Sequence, residues 1–237
     1  MKQGSIRRFL SAMAVVCGGA VCLCALARAE TAPGAAGSNP PAASAQAPAG
    51  ASPSATAVEV KGFRSALFGM SEAEVRAAIA KDFNIAPDAI RGSQNGAEHT
   101  RILLAKAPDV LPDGGVAEVA YVLGYKTKKL IQVGVSWSSA TDDKLTPERL
   151  LSNAETLRAY FLSAGYKPDT IVNNQPVSDG LLMFRGADAD GRTTVLLLRG
   201  ATTGEKSPRT FSATGLALFY LADAKNPDVY RLAPGKF

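Results

Sequence analysis

Apolar residues recur along this chain with two different spacings, which predict two helices among several strands. Val75, Ile79 and Phe83 recur every four residues, which is typical of the buried stripe of a helix. Ser71 precedes this stripe as an N-cap, and Glu74 lies where it completes a capping box. The pattern therefore predicts a helix that begins after Ser71 and packs one side on a core.

A second helix is predicted to begin after Thr146. This threonine is a favourable N-cap, and Pro147 follows at the first helical position, where its missing N–H costs nothing. Gly165 stands where a left-handed residue commonly ends a helix. The predicted buried stripe consists of Leu150, Ala154, Leu157 and Phe161.

Apolar runs bounded by turn residues predict six strands in two sets of three, and Val133, Val135 and Trp137 in the third run alternate with a period of two. The predicted strands cover residues 100–105, 116–124, 129–138, 180–185, 192–199 and 214–221. The order of one helix and three strands thus occurs twice, over about residues 62–138 and 139–223. We therefore predict the α+β class: two helix-plus-three-strand units that form an antiparallel sheet with the helices packed on one face.

Three motifs of the first half resemble a known family. They are Gly-Met-Ser-Glu-x-Glu-Val at 69–75, Tyr-Val-Leu-Gly at 121–124 and Lys-x-Leu-Ile-x-Val-x-Val-x-Trp at 128–137. Together they resemble the BamE/SmpA/OmlA-like lipoprotein domain of the outer-membrane β-barrel assembly machine, and its tandem-repeat relative, the β-lactamase inhibitor protein. The resemblance covers about residues 62–138, with a fainter echo in the second half, and it implies a non-catalytic binding or scaffolding module.

The start of the chain has the pattern of a secretory signal. Basic residues precede an apolar run over residues 9–26, and Ala27-Arg28-Ala29 follows as a small-residue cleavage site. We predict a signal peptide over residues 1–29, cleavage after Ala29 and a periplasmic or secreted location. The alternative is an uncleaved anchor, since the run approaches the ~20 residues that span a bilayer. Only that alternative places the protein at a membrane.

Removal of this segment changes the composition arguments. All three cysteines lie within it, none of them after the small residue that a lipobox requires, so the processed chain has no thiol for a disulfide or a metal. The full chain has a net charge of +5, but four basic and no acidic residues precede residue 30, which leaves 22 basic and 21 acidic side chains. The basic balance therefore does not indicate a nucleic-acid partner.

The remaining chain divides by composition. Residues 30–57 are almost entirely Ala, Pro, Ser, Gly and Thr, and we predict a disordered spacer. Residues 58–237 have a globular composition, and we predict one domain that contains both halves of the repeat.

Candidate catalytic chemistry is sparse. His99 is the one histidine, and we interpret it as an exposed loop residue. Asp188 and Asp190 match the first ligand positions of a calcium-binding loop, but the later ligands of such a loop are absent. A turn is therefore the better interpretation. We therefore predict no catalytic, metal-binding or cofactor-binding residues.

The most concentrated charge lies beside tyrosines, at Tyr121, Tyr125, Lys126, Lys128 and Lys129. These residues are either partner contacts or protection of a sheet edge. The sequence thus predicts a secreted or periplasmic non-enzymatic domain that binds an envelope protein or component. The alternatives are a hydrolase-type enzyme of an unrecognised family and a membrane-tethered structural protein, and the oligomeric state stays open.

Overall fold

The second half of the chain repeats the order of elements of the first half. A computed structural model describes residues 57–108, 110–203, 210–232 and 235; the predicted signal peptide and all of the predicted spacer except residue 57 lie outside them. The helices of the described residues are α1 (Glu72–Phe83) and α2 (Pro147–Ser163), each followed by a short 3₁₀ turn. The strands are β1 (Gly62–Phe63), β2 (Ala66–Leu67), β3 (Arg91–Asn95), β4 (Thr100–Ala107), β5 (Ala117–Leu123), β6 (Leu130–Ser138), β7 (Val172–Val177), β8 (Gly180–Ala187), β9 (Thr193–Thr203) and β10 (Thr210–Leu221).

Helix α1 begins where its capping residues predict. The backbone N–H of Ser71 donates to Oε2 of Glu74 at 2.7 Å, and the Ser71 hydroxyl donates to the same oxygen at 2.6 Å. These bonds satisfy a backbone donor that the first turn of a helix leaves free. Asn84 has a left-handed backbone with φ of 50° and ends the helix.

Helix α2 also confirms its predicted boundaries. Oγ1 of Thr146 accepts a hydrogen bond from the backbone N–H of Arg149 at 3.2 Å, and Pro147 occupies the first position. Gly165 follows the helix with φ of 80°, a conformation that glycine adopts without strain.

Eight of the strands form one antiparallel sheet. Their spatial order is β3-β4-β5-β6-β10-β9-β8-β7. Each half therefore contributes a meander of four strands, and the two meanders join where β6 pairs with β10, for example at Val135 opposite Leu218. Strands β1 and β2 form a separate small hairpin.

The predicted fold class, an α+β arrangement of two helix-plus-three-strand units, is wrong. The structure is mainly a single eight-stranded antiparallel sheet with a second, two-stranded sheet, and each half supplies four strands to the large sheet. The two strands that the sequence pattern did not predict are β3 and β7, which form the two edges of this sheet. Edge strands need no apolar alternation. These two carry many polar residues and contain a single buried residue, Asn95, with Gly92 in one strand and Pro176 in the other.

One face of the large sheet forms the core. A row of cross-strand partners runs over six strands, and none of its members is more than 1% exposed: Ala105, Val119, Val135, Leu218, Leu196 and Phe184. The apolar stripes of both helices belong to the same buried cluster. Phe83 is an exception to its predicted burial, because it lies at the last residue of α1 and is only half-buried.

Candidate functional site

The other side of the large sheet, which we call the second face, carries the side chains that alternate with the core row. One of its rows crosses all eight strands: Arg91, Leu104, Ala120, Gly134, Phe219, Val195, Arg185 and Val172. Leu197 and Ala217 lie in the next row and are buried, yet they lie outside the cluster that holds the buried residues of both helices. Neither described helix therefore packs against this face.

The middle of the second face combines small residues with one aromatic ring. Ala120, Gly134 and Phe219 are cross-strand neighbours on β5, β6 and β10. The Phe219 ring lies across Gly134, with ring carbons 3.2 Å from the point that a Cβ at residue 134 would occupy. In the adjacent row, Ser136 pairs with Ala217. Leu104 on β4 and Val195 on β9 border this strip, so the middle of the face is mainly apolar.

Charged side chains on the second face are mainly basic. Arg91 and Glu118 form an ion pair at 2.6 Å, which balances the one acidic residue in the rows of this face. Arg185 and Arg199 lie on β8 and β9, opposite Val195 and Gly180 respectively. Both are partly exposed, and the side chain of Arg199 retains 28% of its accessible surface. The described part of the face thus combines an apolar floor with cationic side chains.

The predicted lysine site lies at one end of the sheet, where the turn between β5 and β6 is held by the C-terminal segment. The carboxylate of Asp228 accepts hydrogen bonds from the backbone N–H groups of Lys126 and Thr127 at 3.0 and 2.8 Å, and from the Thr127 hydroxyl at 2.6 Å. Burial opposes the ionisation of Asp228, but these hydrogen bonds outweigh it and lower the pKa of the carboxyl. Asp228 therefore clamps the turn that carries the lysines.

Aromatic rings pack beside this clamp. The rings of His99 and Tyr230 are stacked with centroids 4.3 Å apart, and Tyr125 meets both edge-on at 5.5 Å. Nζ of Lys128 lies 5.4 Å from the centre of the Tyr125 ring, within range of a cation–π contact. His99 is exposed, as its loop position predicts, but it also anchors the C-terminal segment.

Tyr121 does not join the other residues of the predicted lysine site. Its side chain is fully buried on the core face, opposite Leu103 and Val133, whereas Lys126, Lys128 and Lys129 are exposed and Tyr125 is half-buried. Burial raises the pKa of its hydroxyl, and the nearby Asp82 carboxylate adds to that effect. The alternation of β5 determines this placement, because successive side chains of a strand point to opposite faces.

Asp188 has a structural role. Its two carboxylate oxygens accept hydrogen bonds from the backbone N–H groups of Val60 and Arg192, each at 2.9 Å, and the side chain is 1% exposed. The residue therefore fixes the start of the domain to the turn between β8 and β9. Within the part of the chain that the structure describes, no three His, Cys, Asp or Glu side chains are grouped as metal ligands.

Sequence reasoning missed the second face and the clamp because both depend on contacts between distant residues. Only the register of the sheet shows which side chains share a row. Asp228 lies more than a hundred residues after the turn that it holds, in a segment without a regular pattern. The nearest sequence signal is Asn226-Pro227-Asp228, which is typical of a turn.

No family model matches the chain, and neither a curated protein nor a solved structure matches it. No helix among the described residues is long and apolar enough to cross a bilayer.

Proposed function

We propose that this protein is a non-enzymatic binding domain of the bacterial envelope, periplasmic or secreted, and that it binds a partner protein on the second face. The observation that carries the proposal is the row of eight residues from Arg91 to Val172. Five of its residues have partly exposed apolar side chains, and no described helix covers the row: Leu104, Ala120, Phe219, Val195 and Val172. Apolar surface of this kind is typical of interaction sites.

The scaffold suits this function because it is rigid. The second face is the reverse side of the sheet whose other side forms the core, so its backbone is held by strand pairing and by packing at once. A surface that is already ordered loses little entropy on binding, and this favours affinity.

Several carboxylates of the described residues are engaged in the fold. Asp82 accepts from the backbone and the hydroxyl of Ser65, Asp188 accepts from two backbone N–H groups, and Asp228 holds the lysine turn. A carboxylate that serves as an acceptor in this way is poorly placed to exchange protons with a substrate. This supports binding over catalysis.

The relationship to BamE/SmpA/OmlA-like domains and to the β-lactamase inhibitor protein belongs to the same proposal. It is supported by the motifs at residues 69–75 and 121–137 and implies a scaffolding role in the envelope. Fold likeness alone does not identify a partner, so the proposal names the surface and leaves the partner to experiment.

Affinity capture with two matched variants tests the proposal. Val195→Glu places a charge in the middle of the second face, and Leu151→Glu places the same charge on α2, where Leu151 is 47% exposed. We expect the wild-type protein and the Leu151→Glu variant to capture the same partner from an envelope extract. The Val195→Glu variant is expected not to capture it. Circular dichroism confirms that both variants fold. Equal capture by the two folded variants would contradict the proposal.

A further inference from the structure

We infer that the partner is an acidic protein, which places carboxylates against Arg185 and Arg199. This inference rests on the proposed function of the second face. It adds the chemistry of the partner and the residues that recognise it.

The register of β8 and β9 places the two arginines on either side of an apolar pair. Arg185 lies opposite Val195, Leu182 lies opposite Leu197, and Gly180 lies opposite Arg199. Val195, which pairs with Arg185, and Arg199 are four residues apart on β9, so the two arginines are separated by about 13 Å along the strand direction. The irregularity in pairing between Leu182 and Phe184 shifts the alternation of β8 by one residue, so Leu182 and Arg185 both lie on the second face. The two arginines therefore lie on either side of a buried pair of leucines.

Both arginines have unused hydrogen-bonding capacity. Among the described residues, Arg185 has no ion pair and no side-chain hydrogen bond. Arg199 has one acidic neighbour, Asp179, at 3.9 Å from its Nε, which is beyond hydrogen-bond distance, and 28% of its side-chain surface is exposed. A partly buried guanidinium has lost water contacts, and a carboxylate that accepts two parallel N–H bonds restores them.

The charge balance of the face favours an acidic partner. Arg91, Lys106, Arg185 and Arg199 occupy its rows, whereas Glu118 is the one acidic residue there and is paired with Arg91. The processed chain is predicted to be almost neutral, so this concentration of cations is local. Opposite charges on two surfaces accelerate their encounter and suppress wrong partners.

An acidic protein fits this pattern better than a nucleic acid. Leu182 and Leu197 lie between the arginines, are only 5% and 2% exposed, and offer no contact to a phosphate. The rows that cross the face contain Phe219 as their one aromatic residue, and its ring lies across Gly134. Bases of a single strand need aromatic platforms, which these rows do not otherwise supply.

A designed peptide tests the inference without the native partner. In an extended Glu-Ala-Leu-Ala-Glu peptide with blocked ends, the two carboxylates are four residues apart and match the ~13 Å spacing. Titration into the ¹⁵N-labelled protein is expected to shift amide signals of β8, β9 and β10. The same peptide with Lys for Glu is expected to cause no shift. An octathymidylate is the comparison for a nucleic acid.

Charge reversal identifies the residues. Arg185→Glu with Arg199→Glu is expected to weaken peptide binding by at least tenfold, whereas Lys167→Glu, an exposed reversal on the loop after α2, leaves it unchanged. If the double variant does not fold, Arg185→Gln alone is expected to weaken binding several-fold. Equal shifts with the lysine peptide, tighter binding of octathymidylate, or unchanged peptide binding by the folded variants would overturn the inference. A native partner that Val195→Glu loses but Arg185→Glu with Arg199→Glu retains would leave the second face as a binding surface and refute only its acidic partner.

Discussion

Replacement of Phe161 by alanine tests the packing of the whole domain. Phe161 is 2% exposed and lies in a group of aromatic rings: its centroid is 5.3 Å from Phe184, stacked, and 6.2 and 6.5 Å from Tyr166 and Tyr220, edge-on. Loss of a buried Phe typically costs about 3–5 kcal/mol of unfolding free energy. Several aromatic neighbours lose contact at once, so we expect a cost near the upper end of that range.

Phe83 supplies the comparison, because it is the corresponding last residue of the stripe on α1. It is half-buried, and one side of its ring is covered by the guanidinium of Arg64, 4.9 Å from the ring centre. Phe83→Ala removes less buried surface and leaves a site that solvent and Arg64 can fill. We expect a cost of about 1–2 kcal/mol, since the cavity term is small there.

Urea denaturation followed by tryptophan fluorescence measures both costs, since Trp137 is the single tryptophan and is fully buried. One apolar cluster contains residues of both halves, so both variants are expected to shift one common transition with an unchanged slope. Equal costs for the two substitutions would refute the reasoning from burial. Two separate transitions by calorimetry, each moved by one substitution, would show that the halves unfold independently.

Three further predictions concern the clamps and the absence of a metal requirement. Asp188→Ala is expected to lower the unfolding free energy by about 3 kcal/mol, because it leaves the N–H groups of Val60 and Arg192 without a carboxylate. Asp190, whose side chain is 60% exposed, is expected to tolerate alanine within about 0.5 kcal/mol. Urea denaturation measures both costs, and equal costs would contradict the role of Asp188. Folding lowers the pKa of Asp228, so the ionised carboxylate stabilises the folded state above the ordinary aspartate range, and this contribution is lost as the pH falls below about 4. Urea midpoints between pH 6 and pH 3 should therefore fall more steeply for the wild type than for Asp228→Asn. Parallel curves would refute this. The thermal midpoint of the processed chain is expected to be the same with and without EDTA and dithiothreitol, and a clear drop with EDTA would reveal a metal site, first at Asp188 and Asp190.

The helices were predictable because their signals are local. Ser71 with Glu74, and Thr146 with Pro147 and Gly165, fix helix ends through contacts within a few residues. The central strands were predictable for a similar reason, since alternation against a core is visible in a short window. Two strands are longer than predicted: β9 continues to Thr203, and β10 begins at Thr210.

The edges of the sheet and the candidate site were not predictable in the same way. Strands β3 and β7 gain their pairing from neighbours and carry Asn, Gln and Ser, which are also common in loops. The rows of the second face depend on the pairing of β6 with β10, and these strands are far apart in the sequence. Tyr121 shows the consequence: a residue chosen for its position near lysines lies on the core side of the strand.

Photo-crosslinking in living cells tests the central claim most directly. Benzoylphenylalanine at Phe219 places the probe in the middle of the second face, and the same probe at Leu162, which is 39% exposed on α2, is the matched control. We predict that the probe at position 219 forms a crosslink to one defined envelope protein and that the probe at position 162 does not. A crosslink from position 162, with none from position 219 in a folded and exported protein, would contradict the account.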